Sequence, residues 1–184
     1  MCDQHYDEDL NDYLRRTGMT RRRFGALGMA MGLMAVLPRA ANALDVSESG
    51  VEVRTPDGAA DCYFVHPASG AHAGVLIWPD ILGLRPAFRR MARRLAESGY
   101  AVLVVNPYYR RQRAPVIPDG ATYAEQSTRD IVMPLYQSLD ARTHVTDAKA
   151  FVAWLDDQPA VDRKRKVGTM GYCMGGPITM RTAA

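Results

Sequence analysis

Lys166-Val167-Gly168-Thr169-Met170, followed at once by Gly171-Tyr172-Cys173-Met174-Gly175-Gly176, decides how this chain is read. A short strand-like run enters a turn bracketed by glycines, and residues 177–180 continue as a helix-like segment. A nucleophile held on a sharp strand-to-helix turn has the form G-x-S-x-G. Only glycines beside it let the backbone bend that tightly and the helix pack closely. Cys173 stands at the apex here. The dipole and the unpaired N–H groups at a helix start favour an anionic sulfur, so the position suits a reactive cysteine as well as a serine.

Upstream of this turn the chain alternates strand and helix patterns. Residues 51–54 and 61–66 read as two short strands joined by the turn signal Pro56-Asp57-Gly58, an antiparallel start to a sheet. The continuous apolar run 74–78 is typical of a parallel strand buried on both faces. Residues 86–98 carry Phe88, Met91, Ala92 and Leu95 at helical spacing, with Arg89, Arg90, Arg93 and Arg94 as a solvated opposite face. Gly99 ends that helix and 100–105 is a second buried strand, which makes 74–106 a βαβ unit. Residues 107–137 are broken by Pro115 and Pro118 and show only patchy periodicity, as a lid-like excursion would. Residues 143–156 return to an amphipathic helix with Thr143 as its expected N-cap.

The 184 residues are 47% hydrophobic and 23% charged, an ordinary globular balance, and a net charge of +3 gives no case for nucleic-acid binding. Part of that charge gathers near the N-terminus, at Arg15, Arg16, Arg21, Arg22, Arg23 and Arg39. Thr20-Arg21-Arg22-Arg23-Phe24 matches the twin-arginine export pattern, the apolar run 25–37 is too short to span a bilayer, and Ala41-Asn42-Ala43 is a small-x-small cleavage site. Residues 1–43 are therefore expected to be a signal segment handled by the twin-arginine translocation machinery and cleaved after Ala43. The mature part from residue 44 would be periplasmic or otherwise exported, with no lasting membrane anchor. In an oxidising compartment Cys62 and Cys173 could pair, although neither lies in a C-x-x-C motif.

Taken with Trp78-Pro79-Asp80-Ile81-Leu82-Gly83-Leu84 and Leu95-Ala96-Glu97-Ser98-Gly99-Tyr100-Ala101, the cysteine turn resembles the dienelactone hydrolase family of α/β-hydrolases over residues 51–184. The resemblance implies an α/β-hydrolase-like fold, a mostly parallel sheet flanked by helices. It also implies hydrolysis of a carboxylic ester or lactone through a Cys-His-Asp triad, without metal or organic cofactor. Cys173 would be the nucleophile, and the backbone N–H groups of Ile81 and Met174 would form the oxyanion hole. Asp80 stands where the family usually has a glutamate that contacts the resting thiol. Arg110 and Arg111 lie where family members hold a substrate carboxylate.

An α/β-hydrolase places its acid and histidine after the nucleophile, and residues 174–184 contain neither. The expectation is an incomplete domain whose C-terminal strands are missing and which is inactive as it stands. His5, His66, His72 and His144 all precede the turn and read as surface histidines. The alternative is a non-catalytic exported α/β module that binds a small ligand with an inert Cys173; a redox protein using Cys62 and Cys173 is a third reading.

Overall fold

The computed structural model describes residues 43–184, so the leader reading falls outside the described residues apart from Ala43. The elements run β1 (Val46–Thr55), β2 (Gly58–Pro67), β3 (Ala73–Trp78), α1 (Pro86–Glu97), β4 (Tyr100–Val105), α2 (Gln126–Gln137), α3 (Ala141–Asp156), β5 (Gly168–Gly171) and α4 (Gly175–Ala183). Five strands form one sheet in the order β1-β2-β4-β3-β5. The opening hairpin is antiparallel, as is β2 against β4, whereas β3 runs parallel to both β4 and β5. The sheet is thus mixed and its parallel part is the βαβ region expected from the apolar runs. β1 is longer than its apolar residues suggest, because the ladder from Val46↔Pro67 to Thr55↔Gly58 carries exposed Ser47, Glu48 and Ser49 along with it.

Strand alternation divides the core. Tyr63, Val65, Val75, Ile77, Val102 and Val104 face α1, where Phe88, Ala92 and Ala96 complete one apolar layer. Their sequence neighbours Cys62, Phe64, Leu76, Trp78, Leu103 and Val105 point to the opposite face against Phe151 and Leu155 of α3 and Ile178 of α4. A period-two strand buried on both faces must be apolar at every position, which is why β3 and β4 read as continuous runs. Edge-to-face ring contacts of Trp78 with Phe151 at 5.6 Å and of Phe64 with Trp154 at 5.1 Å hold α3 to the sheet.

Two sequence expectations are corrected in detail. α3 begins before Thr143: Asp140 is the N-cap, its Oδ1 accepting the Thr143 N–H at 2.7 Å while Thr143 Oγ1 accepts the Asp140 N–H at 2.9 Å. Thr143 is the N3 residue of a reciprocal capping box. The segment after β4 ends in a regular helix, α2, that tolerates Pro134. Val116 and Ile117 of its irregular part are buried with Tyr108, Val132 and Leu135, forming a third apolar cluster.

The β5–α4 turn depends on backbone meeting backbone. A Cβ on Gly175 would stand 2.8 Å from the Pro79 carbonyl oxygen and closer still to that of Trp78; one on Gly171 would overlap the Gly175 carbonyl and Thr179 Oγ1. Tyr172 N–H donates to the Trp78 carbonyl at 3.2 Å, tying the turn to the end of β3. Further along, α4 meets α3 where Arg181 Nη1 donates to His144 Nδ1 at 3.1 Å.

Gly175→Ala should therefore destabilise the fold by about 1–3 kcal/mol through overpacking. Gly176→Ala, whose Cβ would meet nothing within 4 Å, should be neutral or stabilise by up to about 1 kcal/mol. Urea denaturation of both variants checks the contrast. A second expectation concerns acid. Burial, and after it the Arg181 charge, holds His144 below the imidazole value of 6.5, with Asp147 and Asp140 opposing. The unfolded chain then takes up this proton before the folded chain does. The contribution is complete above pH 6.5 and lost as pH falls toward the folded value. The denaturation midpoint should drop on acidification from neutral to about pH 5, and His144→Gln should flatten that drop.

Candidate active site

Cys173 has φ of 50°, a non-glycine residue in the left-handed region, and its side chain is exposed. Backbone strain of this kind costs on the order of 1 kcal/mol and persists only where the surroundings impose it. Here they do, because β5 ends at Gly171, α4 starts at Gly175, and the close Gly175–Trp78 approach leaves the chain no wider path. Cys62, by contrast, is buried in the core with its thiol directed at the Ala60 carbonyl, and burial pushes its ionisation far up. The two cysteines are not bridged. One is packing material and the other is presented to solvent.

The amides around Cys173 divide into used and unused. Tyr172 N–H goes to Trp78 O, Gly175 N–H to Tyr172 O at 2.8 Å, and Gly176 N–H to Cys173 O at 3.0 Å. Met174, at αR geometry just before the first residue of α4, donates its N–H to no acceptor among the described residues. The loop after β3 shows the same division. Leu82 N–H donates to Asp80 Oδ1 at 3.0 Å and Gly83 N–H to Asp80 O at 2.9 Å, while Ile81 N–H has no acceptor among the described residues. Ile81 and Met174 thus hold unpaired donors on the two segments that the Tyr172–Trp78 hydrogen bond joins.

Asp80 is placed by an arginine that the sequence reading did not single out. Arg85 forks onto it, Nη1 to Oδ1 at 2.6 Å and Nη2 to Oδ2 at 2.8 Å, with both side chains 23% exposed. The carboxylate therefore shapes its own loop, and among the described residues the Cys173 sulfur has no hydrogen-bond partner. Spacing of five residues fits neither a helix face nor a strand face, so nothing in the sequence pattern pairs Asp80 with Arg85.

The two arginines expected near the substrate differ. Arg110 donates to both Asp147 oxygens at 2.8 and 2.6 Å and to Asp57 at 2.7 and 3.0 Å, and stacks over the Tyr109 ring at 4.6 Å. Tyr109 also donates to Asp147 at 2.9 Å. This guanidinium ties the β1–β2 turn to α3, and its donors are committed to carboxylates. Arg111 is exposed, and its side chain has no partner among the described residues. The described histidines are engaged away from the thiol: His66 with Pro67 O, His72 with Ser69 O and His144 with Arg181. Among the described residues no group of three or more His, Cys, Asp or Glu could hold a metal, and no helix is long and apolar enough to cross a membrane.

The Arg110 network generates a stability test. Asp147 is only 2% exposed, so Arg110→Met strands a buried carboxylate and should cost about 3 kcal/mol. A fall in the urea midpoint, with unaltered alkylation of Cys173 in the folded protein, is the expected outcome.

Comparison with known proteins concerns the family and the fold. The chain is 29% identical over 133 residues to the carboxymethylenebutenolidase of Rhodococcus opacus, covering 71% of this chain and 46% of that protein. It is 27% identical over 137 residues to that of Pseudomonas putida, covering 73% and 55%. The chain thus spans about half the length of the curated relatives it matches. Among solved structures, a dienelactone hydrolase-like promiscuous phosphotriesterase from metagenomic libraries superposes with a TM-score of 0.52 at 23% identity, covering 75% of this chain and 54% of that one. That likeness concerns the fold. The family profile itself matches residues 60–184, from β2 through the cysteine turn to α4, and the chain belongs to the dienelactone hydrolase family.

Proposed function

We propose that this chain carries the nucleophile half of an ester or lactone hydrolase, in which Cys173 takes the acyl group of a small carboxylic ester as a thioester. The observation that carries the proposal is the exposed Cys173 at φ 50°, followed directly in the chain by Met174, whose N–H has no acceptor among the described residues. In the proposed first step the Cys173 thiolate forms a bond to the ester carbonyl carbon, and the carbonyl π pair moves onto oxygen. The resulting oxyanion accepts from the Ile81 and Met174 amides, which favours charge at the moment it develops. The pair then returns, the C–O bond to the alcohol breaks, and the alkoxide takes a proton as it leaves. Water completes the cycle by cleaving the thioester.

Both halves of the cycle use a proton carrier, ordinarily a histidine. None of His66, His72 and His144 is hydrogen-bonded to Cys173, so acylation is the step these residues can support, with an activated leaving group replacing the acid. Asp80 acts in this reading through its loop and its Arg85 pair, and exposed Arg111 is the candidate to meet an anionic substrate. Passage through the twin-arginine machinery with cleavage after Ala43 belongs to the same proposal. It is motivated by Arg21-Arg22-Arg23 and Ala41-Asn42-Ala43.

The test is stoichiometric acylation of the full chain by p-nitrophenyl acetate. A burst of one p-nitrophenolate per chain, with the acetyl group located on Cys173 by mass spectrometry and absent in Cys173→Ala, is expected. If Cys173 stays unmodified while it alkylates no faster than Cys62 in the folded protein, the hydrolase reading falls and an inert-cysteine binding module takes its place.

A further inference from the structure

Tyr108 is the polar side chain that touches both segments of the proposed oxyanion hole. Its phenol oxygen donates to the Ile81 carbonyl at 2.9 Å and lies 3.2 Å from Met174 Sδ, contacts spanning 27 and 66 residues of sequence. The residue itself is 1% exposed. Its ring is held from several sides: the Gly83 Cα packs against it, so that a Cβ there would lie 3.5 Å from two of its ring carbons, and Val116, Ile117, Val132 and Leu135 share its apolar cluster. Its backbone is held too. Asn106 Oδ1 accepts the Tyr108 N–H at 3.0 Å, and the Tyr108 carbonyl accepts from Arg111 at 2.8 Å and Gln112 at 2.9 Å. Burial, with the Asp80 carboxylate and the Cys173 sulfur adding to it, holds the phenol well above its ordinary ionisation range, so the oxygen keeps its proton to donate.

We infer that Tyr108 is the positioning residue of the oxyanion hole, a rigid strut that fixes the Ile81 peptide and the Met174 side chain relative to each other. The inference rests on the acyl-transfer reading of Cys173. Its physical basis is that a peptide plane turns as a unit. The Asp80–Ile81 plane, which carries the Ile81 N–H, is held at its carbonyl by the Gly83 N–H. The next plane, Ile81–Leu82, is held at its N–H by Asp80 Oδ1 and at its carbonyl by Tyr108, so Tyr108 completes the hold on both planes that meet at the Ile81 Cα. Donors of an oxyanion hole act by being in place before the charge forms. A strut buried beneath them supplies that without touching the substrate.

The experiment compares two reactions of the same sulfur in the full chain. Acylation by p-nitrophenyl acetate develops charge on a carbonyl oxygen; alkylation by iodoacetamide displaces iodide at carbon and develops none. Tyr108→Phe keeps the ring and removes the hydroxyl. It should slow Cys173 acylation about ten- to a hundred-fold while changing the alkylation rate less than about two-fold. A purely structural loss would slow or speed both alike, and that result overturns the inference, as does acylation at the wild-type rate. Should Tyr108→Phe fail to fold, Met174→Leu decides, because it keeps side-chain bulk and removes the sulfur contact. A several-fold loss of acylation with alkylation intact supports the strut, and no loss overturns it. Wild-type protein that alkylates at Cys173 but never acylates would instead overturn the hydrolase reading beneath it.

Discussion

The organisation of this protein depends on one close approach, that of the Gly175 backbone to the carbonyls at the end of β3. There is no room for a Cβ at this contact. The Tyr172 amide bound to the Trp78 carbonyl fixes the same junction from the other side. Because β5 lies parallel beside β3, the strand must end and α4 begin within three residues of that contact. Such a reversal leaves the apex residue in the left-handed region, and that residue is Cys173. Exposure of the sulfur is thus a consequence of packing rather than of its own solvation. The apolar layers on the two faces of the sheet bring β3 and β5 together in the first place, so the strained apex is sustained by burial elsewhere.

Charge is used in this molecule mainly to join segments. Arg85 and Asp80 close the loop after β3, and Arg110 with Asp147 and Asp57 joins the hairpin turn to α3. Each pair is partly shielded from water, where a bidentate guanidinium compensates the loss of carboxylate hydration better than an ammonium does. The loop bearing Ile81 is therefore held by an ion pair and two amide bonds at its Asp80 end and by the buried Tyr108 phenol at its carbonyl. These contacts together hold both peptide planes that flank Ile81. The same economy accounts for Arg110, whose guanidinium is taken up by the carboxylates of Asp57 and Asp147.

Much of the fold was legible along the chain because its signals are local. The 3.6-residue pattern of Phe88, Met91, Ala92 and Leu95 marks a helix wherever it occurs, and apolar runs such as 74–78 mark strands covered on both faces. The glycine turn was legible for the same reason, since crowding at residues 171 and 175 excludes side chains at those very positions. Helix starts were less so. Thr143 carries a cap signal of its own, and only the backbone shows that the chain leaves the helix at Asp140, three residues earlier. The polar first half of β1 was invisible for a related reason, being held by ladder bonds to β2 and not by its own side chains.

By itself, then, the sequence determined an α/β chain with a cysteine on a strand-to-helix turn, together with its family, because those properties lie in short contiguous patterns. Only the tertiary structure decided which distant side chains meet. Tyr108 meets Ile81 and Met174 across 27 and 66 residues, Arg110 meets Asp147 across 37, and Arg85 meets Asp80 at a spacing that belongs to no regular element. Pairings of that kind arise when the sheet order folds distant loops over one end of the strands. No periodicity within a segment encodes which partner it will find there.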